Sequence, residues 1–326
     1  MKKRLFSGVQ PSGIIHIGNW LGAIKNWVEL QEKYDSIFSI VDYHSLTVFQ
    51  KPDELRKNIL NLASLYIAAG INPEKCIIFK QSDVPEHTEL TWILSTVTPL
   101  GELKRMTQYK EKTRRYKEKI NAGLLNYPIL MASDILLYNT DVVPVGEDQV
   151  QHIEFTRDLA KKFNKRYGET FKIPEALLTK IARVMSLQNP NEKMSKTATS
   201  DLSYISLTDS PELIQKKIQK AVTDSGNKIT FCEKRAAISN LLRIYQGLTE
   251  KSEKETIKKF KGKGYADFKK ELAKTIIEKL SPIQKKYNEL VKKPAEIYKI
   301  LDGGAKKARE IANAKMQEVK KKIGVK

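Results

Sequence analysis

Two short segments hold the residues best suited to phosphate chemistry: His16-Ile17-Gly18-Asn19 near the start, and Lys193-Met194-Ser195-Lys196-Thr197 past the middle. The first follows the apolar run Leu5-Phe6-Ser7-Gly8 and the turn Pro11-Ser12-Gly13. It leads into Trp20, Leu21, Ile24, Trp27 and Val28 at helical spacing. Strand, glycine-marked turn and helix N-terminus, in that order, offer backbone N–H groups and the positive end of a helix dipole to an anion. His16 and Asn19, three apart, project to one side of the first turn. The second segment sets two lysines on a polar stretch opened by Asn189-Pro190-Asn191, a breaker signal that predicts a mobile loop. Ammonium groups on flexible stems suit a phosphate whose charge shifts during reaction. Each segment alone is a weak signal, because short turns recur by chance and lysine pairs usually form solvated faces. Together they read as two halves of one phosphate-handling site.

The elements that must position them follow from the apolar pattern. Candidate strands are Leu5–Gly8, Ile37–Val41, Cys76–Phe79 and Val142–Val145. Between them, Asp53 to Ala69 puts Leu55, Ile59, Leu62, Leu65, Tyr66 and Ala69 on one helical stripe, opened by Pro52-Asp53 and stopped by Gly70. Strands separated by helices predict an α/β domain, a Rossmann-like doubly wound parallel sheet whose ligands bind beyond the carboxyl ends of the strands. The His16–Asn19 turn and the Gly146-Glu147-Asp148-Gln149 turn both fall at strand ends. After Ser210 the pattern is helical, over Pro211–Val222, Ala236–Gly247, Phe268–Val291 and Pro294–Ile323, with breaks read at Gly262, Gly264, Pro282, Pro294 and Gly303-Gly304. The division expected is a catalytic domain over 1–208 and a smaller all-helical C-terminal domain over 209–326.

At 326 residues, with 40% hydrophobic and 29% charged side chains, the composition is that of a soluble globular protein with room for two domains. No apolar run approaches the ~20 residues of a membrane span, and the N-terminus lacks the roughly 7–15-residue apolar core of a secretory signal. Cys76 and Cys232 form no metal-ligand spacing and no disulfide framework, so a cytoplasmic setting and no structural metal are expected. The formal net charge is +20, and Lys251 to Lys326 hold 23 basic against 10 acidic residues. That asymmetry suits a polyanionic partner. A lysine-rich surface kept for solubility explains it as well, and a basic helical domain serves equally as an RNA-binding or a dimer-supporting bundle.

In order and context the two segments resemble the HIGH and KMSKS signatures of class I aminoacyl-tRNA synthetases. The likeness extends to Phe6–Gly13, to Leu124–Tyr138 (with Asn126-Tyr127-Pro128 and Met131-Ala132-Ser133-Asp134), to Val145–Gln149, to Met185-Ser186-Leu187 and to Ala221–Ser225. Nearly end to end, the chain is similar to the bacterial tryptophanyl-tRNA synthetases. The resemblance implies activation of L-tryptophan by ATP to tryptophanyl-adenylate and pyrophosphate, then esterification of the terminal adenosine of tRNA(Trp). It also implies magnesium carried with ATP and a homodimer, with no membrane involved.

Carried over residue by residue, the resemblance makes His16, Asn19, Lys193 and Lys196 the catalytic candidates. Gln10, Pro11, Ser12, Gly18, Asn19, Gly146, Glu147, Asp148, Val184 and Lys193-Met194-Ser195-Lys196-Thr197 would bind ATP, with Asp148 on the ribose and Val184 beside the adenine. Lys112 is a further cation candidate, with Arg114-Arg115-Tyr116 offering others. Asp134 matches the position that accepts the indole N–H; on its own, a carboxylate among Met131, Ile135, Leu136 and Leu137 is expensive and wants a donor, which a local turn or a basic side chain would also supply. Phe6, Met131, Val142 and Val145 would line the tryptophan pocket. Tyr127, Gln149 and His44 are candidates for the ammonium and carboxylate ends, His44 being equally readable as a polar residue satisfied beside a strand end. His87 and His152 receive no role.

Asn19 stands where many class I signatures have His, as the tryptophanyl branch commonly does, and Thr197 stands where Ser is usual. Activation needs positioning and charge stabilisation rather than a covalent nucleophile, so no Ser/His/Asp constellation is required. No insertion is large enough for an editing domain; smaller side chains would leave the pocket unfilled and Asp134 unpaired. A tyrosyl-specific relative would need polar groups for a phenol instead of Met131 and Asp134. A non-catalytic paralogue would have lost the lysines or the His/Asn turn. A nucleotidyltransferase would leave Gly146–Gln149 and the helical tail unexplained.

Overall fold

The apolar runs of the first half line up as one parallel sheet. In a computed structural model of the chain, which describes residues 2–13, 15–110, 120–146, 149–178, 184–195, 200–226, 228–232 and 234–326, the strands are β1 (Arg4–Val9), β2 (Asp35–Ile40), β3 (Ile77–Lys80), β4 (Val142–Val145) and β5 (Glu175–Leu178). Their order is β3-β2-β1-β4-β5, with Phe6 beside Ile37, Ile37 beside Ile77 and Val142 beside Glu175. The chain therefore leaves β1 on the side of β2 and later returns to its other side as β4. The turns after β1 and β4 flank the switch point where such sheets bind ligands. The sequence predicts four of these strands. It misses β5, an edge strand with no β-branched residue, whose Leu178 is exposed.

In chain order the helices are α1 (Ile17–Asn19), α2 (Lys25–Lys33), α3 (Asp42–Ser45), α4 (Pro52–Ala68), α5 (Glu86–Ser95), α6 (Leu100–Arg105), α7 (Ala122–Leu136) and α8 (Val150–Tyr167). They continue as α9 (Pro211–Lys220), α10 (Ala236–Thr249), α11 (Glu253–Phe260), α12 (Tyr265–Leu290) and α13 (Pro294–Ile323). Their starts are written locally. Pro52 opens α4 with Asp53 and Glu54 in its first turn, and the Asn121 side chain caps α7 by accepting from Leu124 N at 2.9 Å. α12 runs through Pro282 and α13 through Gly303-Gly304, which the sequence reads as breaks.

Two compact units emerge, one of residues 1–13, 29–179 and 293–326, the other of residues 14–28 and 180–292. The expected cut between 208 and 209 differs from this division at both ends, for reasons visible in each unit. In the sheet unit, α13 lies against β3, α4 and α5. Its buried stripe, Ile297, Leu301, Ala305, Ala308, Ala312, Met316 and Val319, is narrow at the centre and lets the helix backbone approach the sheet. Gly304 is the point of nearest approach, where a methyl group would overlap the carbonyl of Ile78. α13 thereby covers the edge strand β3. In the helical unit, residues 14–28 are tied to the segment before α9: Ile17 N donates to Ile205 O at 2.8 Å, and Leu207 N to Ile15 O at 3.0 Å. Tyr245, Phe260 and Phe268 form an aromatic cluster at 4.8–6.5 Å between centroids in the core of this unit.

Candidate active site

The first catalytic candidates belong to the helical unit. His16 is the N-cap of α1 and forms a reciprocal capping box: its Nδ1 accepts from Asn19 N at 3.3 Å, while Asn19 Oδ1 accepts from His16 N at 3.1 Å. α1 passes through a π-helical turn, Trp20–Ile24, into α2, a departure from α geometry that recurs at functional sites. His16 is bridged to Ser206, whose N–H donates to Asp209 Oδ2 at 2.9 Å. The same oxygen accepts from buried Lys217 Nζ at 2.6 Å, so an ion pair in the core braces the segment bridged to His16. A methyl group on Gly18 would lie 3.0 Å from the His16 ring and 3.4 Å from Val184. The space that glycine leaves is thus taken by these side chains. The N–H groups of Ile17, Asn19 and Trp20 are already engaged, with Ile205 O and His16 O.

Val184 and Lys193 sit on the two arms of a hairpin in the same unit. Met185 bridges Lys193, Met194 N donates to Val184 O at 3.1 Å, and Ser186 N to Glu192 O at 2.8 Å. The Asn189–Asn191 breaker forms its tip, where Ser186 Oγ accepts from Gln188 N and Asn189 N, each at 3.2 Å. Met194 is buried, and Asn240 on α10 fixes the first arm by accepting from Met185 N and donating to Met185 O, both at 2.8 Å. The helical unit therefore holds His16, Gly18, Asn19, Val184, Lys193, Met194 and Ser195. Lys112, Glu147, Asp148, Lys196 and Thr197 lie outside the described residues.

The remaining candidates belong to the sheet unit. Gln10, Pro11 and Ser12 follow β1 in a tight turn, Ser12 N donating to Gln10 O at 2.8 Å, and Gly13 completes it at a φ of 109°. After β4, Gln149 N donates to Gly146 O at 3.0 Å and Gln149 is the N-cap of α8. The tryptophan candidates gather on α7, where Tyr127, Met131 and Asp134 recur at spacings of four and three and share one stripe.

Asp134 is the chemical centre of that stripe. It is 2% exposed, and three donors meet its carboxylate: Gln81 Nε2 at 2.7 Å and His87 Nδ1 at 2.6 Å on Oδ1, and His44 Nε2 at 2.8 Å on Oδ2. Burial alone would raise its pKa, but His44 and then His87 outweigh it and hold the carboxyl below the usual range, so it is ionised and accepts only. Gln81 is itself oriented, since its Oε1 accepts from Tyr43 N at 3.1 Å. One further bond runs outward from this group, and Tyr127, edge-on to His44 at 6.4 Å between centroids, belongs to a neighbouring set. His87 Nε2 is 2.8 Å from the Tyr138 hydroxyl, and the Tyr127 hydroxyl is 2.9 Å from His152 Nε2 and 3.2 Å from Gln108 Oε1. Phe6 stacks on Tyr138 at 5.4 Å, and Met131 is half-buried against the core.

His44 is thus placed on Asp134 rather than on a pocket wall of its own. Gln81, His87, His152 and Tyr138 are the members of these two sets that the sequence does not point to. The one signal in the sequence is Asp134 itself, since a carboxylate set among Met131, Ile135, Leu136 and Leu137 needs donors from elsewhere in the chain. Among the described residues, no cluster of three His, Cys, Asp or Glu side chains could hold a metal ion, and no helix is long and apolar enough to cross a membrane.

Known proteins similar to this chain identify its family. Residues 1–281 match the family model described as tRNA synthetases class I (W and Y). The chain is 52% identical over 325 residues to the Tryptophan--tRNA ligase of Caldanaerobacter subterraneus subsp. tengcongensis, covering 99% of this chain and 98% of that one. Among solved structures it is similar to tryptophanyl-tRNA synthetase from Mycoplasma pneumoniae, with a TM-score of 0.91 at 35% identity over 99% of this chain and 98% of that one. It also resembles the Campylobacter jejuni enzyme complexed with ADP and tryptophan, with a TM-score of 0.84 at 39% identity over 98% and 99% of the two chains. A family match across most of the chain and a relative sharing half its residues place this sequence firmly: the chain belongs to the class I tRNA synthetases of the tryptophan and tyrosine group.

Proposed function

We infer that this chain activates L-tryptophan with ATP and transfers it to tRNA(Trp). An oxygen of the tryptophan carboxylate attacks the α-phosphorus, the bond to the β-phosphate oxygen breaks, and pyrophosphate leaves. A ribose hydroxyl of the terminal adenosine of tRNA then attacks the activated carbonyl, and AMP leaves. The observation that carries this reading is identity of 52% over 99% of the chain to a Tryptophan--tRNA ligase, together with the close fold of a relative bound to ADP and tryptophan.

Residue roles are proposed as follows. Asp134 accepts the indole N–H: an ionised carboxylate has about four acceptor positions, and three are filled within the protein, leaving one on Oδ2. Met131 and Phe6 flank it on apolar sides, and Tyr127 and Gln149 take the amino-acid ends of the substrate. His44, whose Nε2 is spent on Asp134, is assigned to holding that carboxylate. His16 and Asn19 steady the phosphates from one short turn, and Lys193 with Lys196 stabilises the departing pyrophosphate. Gln10, Pro11, Ser12, Gly18, Gly146, Glu147, Asp148, Val184, Met194, Ser195 and Thr197 complete the nucleotide contacts. Magnesium carried with ATP would supply counter-charge to the leaving pyrophosphate alongside Lys193 and Lys196.

The helical region over residues 209–326 is proposed to bind the anticodon end of the tRNA, supported by its many lysines, as on α11 and α12. A homodimer in the cytoplasm is proposed with it, on the support of the family resemblance. Charging of a tRNA(Trp) transcript with labelled tryptophan tests the whole reaction. The expected result is one AMP released per tryptophan esterified; adenylate formation with no esterified tRNA would contradict the second step.

A further inference from the structure

His87, at the start of α5, has no exposed surface, yet both its ring nitrogens are used, Nδ1 on Asp134 Oδ1 and Nε2 on the Tyr138 hydroxyl. Aromatic rings hold this line on several sides. Phe79 on β3 stacks on the imidazole at 5.8 Å and meets Tyr138 edge-on at 5.9 Å, while Phe6 on β1 lies parallel to Tyr138 within 8°. Residues from β1, β3, α5 and the turn after α7 are therefore committed to a single hydrogen-bonded line that ends on one carboxylate oxygen.

The protons on that line are determined by its ends. An ionised carboxylate only accepts, so Nδ1 carries the proton toward Asp134. Tyr138 is protonated, because burial, with the charges of Asp134 and Glu86 behind it, pushes its hydroxyl well above the ordinary range. When the imidazole is neutral, the Tyr138 O–H donates to Nε2 and holds the ring in the tautomer that Asp134 needs. His87 and Gln81 together saturate Oδ1, and only Oδ2 has an acceptor position to offer.

We propose that His87, backed by Tyr138, is a positioning residue for amino-acid selection: it fixes the Asp134 carboxylate so that its one open acceptor position faces the ring N–H of the substrate. The inference rests on the reading of Asp134 as the group that accepts the indole N–H. A fixed, acceptor-only carboxylate penalises a ring without N–H, since the buried oxygen is then left unpaired. A carboxylate free to turn would penalise it less. His87 thus acts on discrimination and on KM for tryptophan, and leaves phosphoryl transfer alone.

Amino-acid-dependent ATP–pyrophosphate exchange, measured on the full chain with L-tryptophan and with β-(3-benzothienyl)-L-alanine, tests this, because sulfur replaces the ring N–H at nearly constant shape. The wild type is expected to prefer tryptophan in kcat/KM by about 100-fold or more. His87→Leu, which removes the donor, is expected to narrow that preference by about tenfold, through a higher KM for tryptophan with kcat changed less than about threefold. His87→Asn, whose amide nitrogen sits near the position of Nδ1, restores most of the preference. Tyr138→Phe, which removes one oxygen from the buried stack, narrows it by about threefold and serves if His87→Leu does not fold.

Equal losses for both amino acids in His87→Leu, or an unchanged preference in Tyr138→Phe, would mean a packing role and overturn the proposal. Asp134→Asn separates the two levels of the argument. If it abolishes the preference while the His87 and Tyr138 variants keep it, the proposal fails and the reading of Asp134 stands. If it leaves the preference intact, the reading of Asp134 fails and takes the proposal with it.

Discussion

A lysine that stabilises a leaving phosphate has to be placed by something stiffer than its own stem. Lys193 meets this condition through its backbone, which is bridged to Met185 in a hairpin braced by Asn240. Lys193→Ala is therefore expected to lower the exchange rate by about 10²–10³-fold, the worth of one transition-state donor, while the thermal midpoint stays within about two degrees. Exchange near the wild-type rate would remove Lys193 from the reaction. At this scale the sequence was legible where chemistry is contiguous. His16–Asn19 and Lys193–Thr197 are each a few residues long, and the helix start at His16 can be read directly from the turn and apolar spacing around it. His87 and Gln81 were not legible, because their importance lies in meeting Asp134 across separations of 47 and 53 residues. Neither stands in a periodic pattern or a spacing that marks it, and only the cost of burying a carboxylate hinted that donors must exist.

Among the elements, the misread positions share a cause. Gly303-Gly304 looks like a helix break by propensity alone, but the helix continues because tertiary packing rewards a bare backbone at Gly304. The two glycines are therefore expected to behave oppositely. Gly304→Ala forces α13 away from Ile78 and should cost about 1–3 kcal/mol or more, whereas Gly303→Ala, exposed and with nothing near the added carbon, should gain about 0.5–1 kcal/mol. Urea midpoints of the two variants check this, and a shared sign would contradict the packing described. β5 was missed for the complementary reason: pairing with β4 imposes a strand on residues with no strand preference of their own.

A second device at this scale joins α9, α10 and α12. Asp224 accepts from Arg235 Nε and Nη2, both at 3.0 Å, and from the Tyr265 hydroxyl at 2.7 Å. The Arg235 hydrogen bonds, against a small burial effect, hold its carboxyl at about 2 instead of 3.8. A depressed folded value means the stabilisation is complete above about pH 4 and is lost as pH falls toward 2. Unfolding midpoints measured from pH 5 to 3 should fall less steeply in Asp224→Asn than in the wild type; parallel profiles would show that the network is not felt in stability.

For the molecule as a whole, the net charge of +20 is the property most exposed to solution conditions. Tryptophan activation involves small ligands held by short-range contacts, whereas tRNA is met through many phosphates. The KM for tRNA is accordingly expected to rise at least about tenfold between 50 and 200 mM salt, while exchange without tRNA changes less than about twofold. Equal sensitivity of the two steps would make the basic surface a matter of solubility, the alternative that composition leaves open. The α/β class and the helical second half could be read from periodicity, because strands alternate with amphipathic helices over 145 residues before the pattern changes. The division into units could not. That α13 joins the sheet and residues 14–28 join the helical unit depends on contacts between segments distant in sequence, such as the small-residue stripe of α13 on β3.

The most direct test of the central claim is ATP–pyrophosphate exchange with each of the twenty amino acids and no RNA. Exchange with tryptophan alone is the expected result, and it would establish both the reaction and its substrate. Exchange with tyrosine would keep the reaction and contradict the reading of Asp134. No exchange with any amino acid, from folded protein that still binds ATP, would contradict the account at its root.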